Sequence, residues 1–185
     1  MKEHKIPLLA AAMVALAGTA AQAADAESVP AEKYQAMGLY LRADAGWSFL
    51  EWAGGDDDSG FAVGGGVGYR FNDNVRTDLR VDYGGQYSVA PGADMSVTTV
   101  LGNLYFDIPT NTAFTPYIGA GVGYGWASVG NGNDGSGLAY GLMAGVGIDL
   151  TDSITLDTEY RFRDVMTPGS DPMEHQILTG LRFEF

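Results

Sequence analysis

The stretch Val75-Arg-Thr-Asp-Leu-Arg-Val-Asp-Tyr83 places a charged residue at every second position and an uncharged one between. Residues 154–163, Ile-Thr-Leu-Asp-Thr-Glu-Tyr-Arg-Phe-Arg, carry their acids and arginines on one parity in the same way. A side-chain period of two predicts β-strands. In a soluble sandwich the ionic face would meet water, whereas in a membrane barrel the apolar face points outward. The rest of the chain has to distinguish these two possibilities.

The N-terminus has the features of a secretory signal peptide. Lys2 and Lys5 precede an apolar run from Ile6 to Ala17, and Ala21-Gln22-Ala23 offers a small-x-small cleavage site. We therefore predict a signal peptide at 1–23 and a short periplasmic tail at 24–37, with an uncleaved N-terminal anchor as the alternative. No later stretch approaches the roughly 18 consecutive apolar residues of a transmembrane helix. An exported chain of this kind would enter a membrane as strands.

Eight alternating segments follow the tail at regular spacing. We expect strands at residues 38–50, 60–71, 74–86, 95–107, 114–128, 137–150, 153–164 and 174–185. Short links (72–74, 109–113 and 151–152) alternate with longer ones (51–59, 87–94, 129–136 and 165–173), as short periplasmic turns and long outer loops do in outer-membrane barrels. Eleven strand residues tilted by about 40° cover roughly 28 Å, which matches the apolar band of such barrels.

The residues on the apolar parity favour the membrane over a secreted β-sandwich with an aromatic core. An Arg or Lys on a lipid-facing position costs roughly 2 to 4 kcal/mol at the midplane, and every arginine falls on the other parity. Aromatic residues also cluster near both ends of the expected strands, as interfacial girdles do. We predict an all-β protein, an eight-stranded antiparallel transmembrane up-and-down β-barrel over 38–185. In segment 95–107 large residues fall on both parities, and we place Asn103 inside.

Three segments resemble a known family. They are Gly38-Leu-Tyr-Leu-Arg-Ala-Asp-Ala-Gly-Trp47, Phe114-Thr-Pro-Tyr-Ile-Gly-Ala-Gly-Val-Gly-Tyr-Gly125 and the closing Gly180-Leu-Arg-Phe-Glu-Phe185. They are similar to the opacity-type and OmpA-like small outer-membrane barrels, and the similarity extends from about Gly38 to Phe185. It implies a Gram-negative outer membrane, and periplasmic chaperones and the barrel-assembly machinery as partners in biogenesis. In that family the assembly signal corresponds to Gly180, Phe183 and Phe185, although Leu178 departs from the polar residue often found at its start.

The inward parity predicts an ion-pair network in the lumen. Its seven arginines and seven acids are Arg42, Arg70, Arg76, Arg80, Arg161, Arg163, Arg182, Asp44, Asp78, Asp82, Asp149, Asp157, Glu159 and Glu184. The third and seventh strands of a closed eight-stranded barrel face each other. Asp157 and Glu159 can therefore meet Arg76 and Arg80, while Arg161 and Arg163 can meet Asp78 and Asp82. Inward glycines on the second, fifth and sixth strands would leave room for the arginines. Because an eight-stranded barrel is only wide enough for side chains, we expect a salt-bridged plug, with a glycine-lined, water-filled passage as the alternative.

The favoured function is a non-enzymatic outer-membrane protein that supports envelope integrity and exposes surface loops. We expect it to be a monomer whose partners are outer-membrane lipid and lipopolysaccharide. A narrow porin is one alternative, and an adhesin or cation-bridging protein another. The chain has 10 basic and 23 acidic residues, a net charge of −13. The excess acid is assigned to the tail and the outer rim, which would repel nucleic acid. The rim acids are Glu51, Asp56, Asp57, Asp58, Asp94, Asp134, Asp164, Asp171 and Glu174.

Catalysis and metal binding find little support in the sequence. An enzyme on this scaffold would need a nucleophile and a base, and the mature chain offers only His175, on the outward parity near the external rim. No serine motif lies next to His175. The chain lacks cysteine, and the acidic segment 54–60 lacks EF-hand spacing. We therefore predict no catalytic residue, no metal site and no cofactor.

Overall fold

The alternating segments form eight β-strands in the computed structural model, which describes residues 37–51, 58–90, 93–130, 135–166 and 173–185. The predicted signal peptide and nearly all of the predicted tail lie outside these residues. The strands are β1 (Gly38–Glu51), β2 (Asp58–Arg70), β3 (Val75–Ala90), β4 (Ala93–Asp107), β5 (Phe114–Val129), β6 (Gly135–Asp149), β7 (Ile154–Val165) and β8 (Met173–Glu184). In the described part of the chain, no helix is long and apolar enough to cross a membrane.

The strands pair in chain order and close on themselves into a barrel. Each strand is antiparallel to the next, and β8 returns to β1, with Tyr40 opposite Glu184 and Glu51 opposite Met173. Closure pairs both edges of the sheet, so the described strands satisfy one another's backbone groups as a membrane requires. The prediction of an eight-stranded antiparallel up-and-down barrel is confirmed.

The turn between β2 and β3 shows how the sequence ends one strand and begins the next. The Asn72 side-chain oxygen accepts hydrogen bonds from the backbone N–H groups of Asn74 (2.9 Å) and Val75 (2.8 Å). Such a side-chain turn replaces a backbone turn and fixes the reversal within a few residues. With the β4–β5 turn, the β6–β7 turn, Gly38 and Phe185, it lies at one end of the barrel, which we call the turn end. The other end is the loop end.

One expected connection is different in the structure. A long link was predicted at 87–94, but β3 continues to Ala90 and β4 begins at Ala93. The pairing passes register shifts between Gly85 and Tyr87 and between Ser88 and Ala90. β-Bulges of this kind let a hairpin continue while its strand bends. The simple alternation of short and long links was therefore wrong at this hairpin.

Burial is inverted relative to a soluble protein. Leu79, Leu104 and Ile118 are between 56% and 59% exposed, whereas Arg76 and Arg80 are fully buried. Exposed apolar side chains lie on every strand except β7, whose outward residues are half-buried. They include Leu41, Trp47, Val67, Val81, Phe106, Val122, Trp126, Leu142 and Phe183. An exposed apolar band that encircles a barrel is the surface that contacts lipid. The predicted placement of Asn103 on the inner face is also confirmed, since it is 2% exposed.

Candidate functional site

The lumen is the candidate site because all seven arginines of the chain point into it. Their exposed fractions lie between 0% and 4%. Each arginine occupies the inward parity of its strand, as alternation requires. A guanidinium that is removed from water must be paired or hydrogen-bonded, because burying a charge alone is very unfavourable. The lumen therefore has to supply a carboxylate for each arginine.

A middle layer joins β1, β3 and β7 across the lumen. We define it as Arg42, Arg80, Arg161, Asp44, Asp78, Asp82 and Glu159. Arg80 lies 2.6 Å from Asp82, 3.0 Å from Asp44 and 3.4 Å from Glu159. Arg161 lies 2.6 Å from Asp82 and 3.0 Å from Glu159. The Arg80–Glu159 and Arg161–Asp82 pairs cross the barrel between β3 and β7, and Arg80–Asp44 joins β3 to β1, so these pairs connect strands that share no backbone hydrogen bonds.

Arg42 completes the middle layer from β1. It lies 2.8 Å from Asp44, 3.5 Å from Glu159 and 3.7 Å from Asp78. Glu159 thus meets three guanidiniums, and the Tyr117 hydroxyl also donates to it at 3.0 Å. Asp78 is held mainly by neutral donors, the Asn103 amide at 2.6 Å and the Tyr40 hydroxyl at 3.2 Å. The layer contains four carboxylates and three guanidiniums.

A lower layer lies toward the turn end. Arg70 bridges Asp107 (2.8 Å) and Glu184 (2.7 Å), and Arg76 reaches Asp107 at 3.0 Å. Arg182 lies 3.5 Å from both Asp157 and Glu184.

Aromatic rings cover the faces of one arginine in the lower layer. The guanidinium carbon of Arg76 lies 4.2 Å from the Tyr105 ring centre and 4.6 Å from that of Tyr117. Stacking of a cation on an aromatic face is attractive, more so in the absence of water. It stabilises a guanidinium that has only one close carboxylate.

One ion pair and an apolar cluster lie at the loop end of the lumen. Arg163 contacts Glu174 at 2.5 Å and donates to the Thr99 hydroxyl at 2.8 Å. The Tyr87 hydroxyl donates to Glu174 at 2.6 Å. Above and beside this pair, inward apolar side chains that are at most 5% exposed form one cluster: Leu50, Tyr87, Met95, Val97, Leu101, Ala127, Ala139 and Val165. Buried ion pairs and apolar side chains therefore follow one another along the lumen from the lower layer to this cluster.

Inward glycines provide the space for the large side chains of neighbouring strands. A Cβ on Gly68 would lie 2.2 Å from the Tyr40 ring, and one on Gly66 would lie 2.7 Å from Arg80. A Cβ on Gly145 would lie 2.6 Å from the Tyr117 ring. Close approach of other groups is a common reason for glycine inside a strand. The sequence predicted small walls beside arginines, and the structure shows that tyrosines use the same space.

Two of the expected cross-lumen pairings are present and two are different. Arg80 meets Glu159 and Arg161 meets Asp82, as the opposition of β3 and β7 predicted. Arg163 was expected beside Asp78 or Asp82, but its carboxylate partner is Glu174 on the adjacent strand. Arg76 was expected beside Asp157, but it pairs with Asp107. Alternation of side chains identifies the face of a strand, whereas the height of a side chain depends on strand tilt and stagger.

The prediction that seven acids face the seven arginines in the lumen was also wrong. Asp107 is 1% exposed and Glu174 is fully buried, so both belong to the lumen. Glu174 had been assigned to the outer loops, and Asp107 had been assigned to no group. Asp149 sits at the turn end, where it accepts a hydrogen bond from the Thr155 hydroxyl at 3.0 Å. The inward parity of β4 and β8 could have identified both missed acids, because Asp107 shares the parity of Asn103 and Glu174 shares that of Arg182.

The outer face carries a separate polar group at the loop end. His175 shares a 2.6 Å hydrogen bond with the Tyr160 hydroxyl, and the Tyr140 hydroxyl donates to Asp164 at 2.9 Å. Asp164 was predicted as an acid of the outer rim, but it is only 8% exposed. Within the described ranges, no three His, Asp or Glu side chains are grouped so that they could hold a metal ion.

Comparison with known proteins identifies the family. The family described as outer membrane protein beta-barrel domain matches residues 9–185. An uncharacterised protein of Brucella abortus is 31% identical, over 76% of this chain and 74% of its own length. Outer membrane protein PagN of Salmonella typhimurium is 30% identical over 55% of this chain and 56% of its own length.

Solved structures share the fold. Neisserial surface protein A superposes with a TM-score of 0.71 at 24% identity, covering 80% of this chain and 97% of that one. Ail, the attachment invasion locus protein of Yersinia pestis, superposes with a TM-score of 0.54 at 16% identity, covering 80% of this chain and all of that one. At these identities the likeness concerns the fold alone.

Proposed function

Because this chain belongs to the outer membrane protein β-barrel domain family, we propose that it is a non-enzymatic envelope protein whose lumen is closed by buried ion pairs. The protein is an integral barrel of the outer membrane of a Gram-negative bacterium. In this proposal the barrel itself is the functional unit, which strengthens the envelope and carries loops to the cell surface. Its lumen passes no solute.

One observation carries the proposal, namely the burial of every arginine in the lumen. A water-filled passage would leave guanidinium groups in contact with solvent, but none of the seven is more than 4% exposed. Arg42, Arg80 and Arg161 lie at mid-height and converge on Glu159, which narrows the lumen to side-chain contact. An eight-stranded barrel has an interior that side chains can fill completely. Both the ion pairs and the apolar cluster above them support closure.

The ion pairs that connect non-neighbouring strands support a contribution to envelope integrity. Backbone hydrogen bonds connect each strand only to its neighbours, whereas the middle layer connects β1, β3 and β7 directly. Breaking a buried ion pair by removing one partner typically costs about 3 to 5 kcal/mol. A braced barrel would resist unfolding, and its loops could vary without loss of the scaffold.

The partners of this function are lipid, lipopolysaccharide and the factors of biogenesis. We propose that the barrel works as a monomer, after delivery by periplasmic chaperones and insertion by the barrel-assembly machinery. Gly180, Phe183 and Phe185 would act as the assembly signal on β8. Phe183 and Phe185 lie near the turn end on the outer face of the folded barrel, where they are 42% and 74% exposed. Neither a cofactor nor nucleic acid has a part in the proposal.

Single-channel recording tests closure against the narrow porin. Purified protein is inserted into planar bilayers, with an open porin in the same lipid as the control for insertion. We expect bilayers that contain the folded barrel, verified by heat-modifiable gel migration, to show no steady conductance. Reproducible unitary currents from the pure protein would replace this proposal with the porin.

A lipid-hydrolysis assay tests the non-enzymatic part. Vesicles that contain radiolabelled lipopolysaccharide and phospholipid are incubated with the folded barrel, and released acyl chains are counted. We expect release at the level of empty vesicles, for the wild type and for His175→Asn alike. Release that depends on His175 would make the protein an enzyme.

A further inference from the structure

Four rings form a continuous row on the outer face of the barrel, toward the loop end. We call Tyr140, Phe162, His175 and Tyr160 the outer ring cluster. The Tyr140 and Phe162 ring centres lie 6.1 Å apart, those of Phe162 and His175 5.2 Å, and those of Tyr160 and His175 6.1 Å. All four residues are partly exposed. The row crosses β6, β7 and β8 without a break.

The cluster lies at the height of lipid headgroups. His175 is opposite Phe49 on β1, and Glu51, the last residue of β1, lies one outward position further toward the loops. On the same outer face of β8, Phe185 marks the turn end ten residues away. Ten residues of a tilted strand span about 25 Å, close to the height of the apolar band. The cluster therefore lies where the outer leaflet meets water.

Polar groups accompany the rings. The Tyr140 hydroxyl donates to Oδ2 of Asp164 at 2.9 Å, and Asp164 is 8% exposed. Its other oxygen, Oδ1, is buried and has no hydrogen-bond partner among the described residues. A buried carboxylate oxygen without a donor is unfavourable, so a ligand that donates a hydrogen bond to Oδ1 would be stabilised there. The hydroxyl of Tyr160 and the ring of His175, joined by a 2.6 Å hydrogen bond, lie beyond Phe162 at the other end of the row.

The charge of the outer surface selects the kind of headgroup. All seven arginines are inside the barrel, and residues 37–185 contain no lysine. Asp164 and Glu51 are acidic, so the surroundings of the cluster would repel a phosphate. A neutral sugar fits the same groups, because its hydroxyls can donate to carboxylates while its C–H face packs on the electron-rich face of an aromatic ring.

We propose that the outer ring cluster, together with Asp164, binds the sugar portion of an outer-leaflet glycolipid through hydroxyl groups and aromatic stacking, independently of the glycolipid phosphates. The acyl chains of the same lipid lie along the apolar band below the cluster. The bound lipid would fix the rotation of the barrel relative to its surrounding lipid. Because the cluster lies on the outer face of the barrel, glycolipid binding there does not depend on whether the lumen is open or closed.

The test measures binding of defined glycolipids to the full-length barrel in phospholipid nanodiscs without divalent cations. The probe is a fluorescent acylated glucosamine disaccharide without phosphates, compared with its bisphosphorylated form and with the soluble disaccharide. We expect the phosphate-free lipid to bind at least as tightly as the phosphorylated one, and the soluble sugar to bind far more weakly. A requirement for phosphate or for Mg²⁺, or equal binding of the soluble sugar, would overturn the proposal.

Matched variants locate the site. Asp164→Leu removes the acceptor, and His175→Phe keeps the ring but removes its nitrogens. We expect each to weaken binding about tenfold, the size of one or two hydrogen bonds. Tyr124→Phe is the control, because Tyr124 is an exposed outer tyrosine whose hydroxyl bonds only locally, to Ser136 at 3.1 Å. All variants are first checked for folding by heat-modifiable migration. Wild-type affinity in folded Asp164→Leu and His175→Phe would refute the site, whatever the conductance of the barrel.

Discussion

Replacement of Arg80 by methionine should strongly destabilise the barrel. Arg80 is fully buried and meets Asp44, Asp82 and Glu159 within 3.4 Å. Methionine retains an unbranched apolar stem, so Arg80→Met removes the guanidinium and its charge while the packing of the stem is kept. The middle layer would then hold four carboxylates beside only two guanidiniums. The carboxylates that lose their partner are shielded from water, because Asp44, Asp82 and Glu159 are at most 7% exposed.

The size of the effect follows from this geometry. Leaving a buried charge without its partner costs about 3 to 5 kcal/mol, and no reduction for solvent screening applies at a site with no exposure. Since every 1.4 kcal/mol is a factor of ten, the unfolding equilibrium constant should rise roughly a hundred- to several-thousand-fold. A second substitution, Asp82→Asn, removes one of the stranded carboxylates. It should therefore cost less in the Arg80→Met background than in the wild type.

Urea unfolding in lipid vesicles, followed by tryptophan fluorescence and by heat-modifiable migration, measures these differences. The control is Asp152→Asn, a charge change at an exposed turn, which should stay within about 0.5 kcal/mol of the wild type. The double-variant cycle should give a coupling of about 0.5 to 3 kcal/mol between positions 80 and 82. If Arg80→Met unfolds within 1 kcal/mol of the wild type, or if the two substitutions are additive, buried ion pairs do not hold the lumen together.

Three further predictions use the same unfolding assay. Gly68→Val should prevent folding because its side chain would occupy the position of the Tyr40 ring, whereas Gly102→Ala on the outer face, where the nearest atom is 3.8 Å away, should fold normally; folding of both would contradict the packing. Leu79→Arg, on the lipid face, should lower the free energy of unfolding by about 2 to 4 kcal/mol. An unchanged free energy of unfolding would contradict the placement of Leu79 in lipid. Asp78→Asn should cost less than Asp82→Asn, because Asp82 meets two guanidiniums at 2.6 Å while the nearest to Asp78 is at 3.7 Å; the reverse order would refute this ranking.

Alternation along single strands predicted the strands, and the apolar parity, the link lengths and the aromatic strand ends together predicted the barrel. In β3, and in β7 from Asp157 to Arg163, every charged residue lies on one face. A shift of either strand by one residue would move its arginines into lipid. The β4 strand was harder, because Val100, Leu104 and Phe106 compete in size with Val97, Leu101 and Tyr105. Asn103 decided which face of β4 points inward, since an amide is better tolerated inside a polar lumen than in hydrocarbon.

The partners inside the lumen could be predicted only in part. Glu174 and Asp107 were missed because they are the end residues of the predicted strands 174–185 and 95–107, although both have the inward parity of those strands. Pairing across the lumen also depends on barrel stagger, which is a property of all eight strands together. The inward tyrosines were missed for a related reason, because Tyr40 and Tyr117 resemble girdle aromatics until their parity is fixed.

The exclusive use of arginine in the barrel has a physical reason. From residue 37 onward the chain has seven arginines and no lysine. A guanidinium offers five donors in a planar fork, so that a single Arg80 can contact carboxylates from β1, β3 and β7 at once. An ammonium is a compact charge that is more strongly hydrated, so its transfer from water to a buried position is less favourable. Bracing between strands that share no hydrogen bonds requires a side chain with several separated donors, and among the cationic residues only arginine provides it.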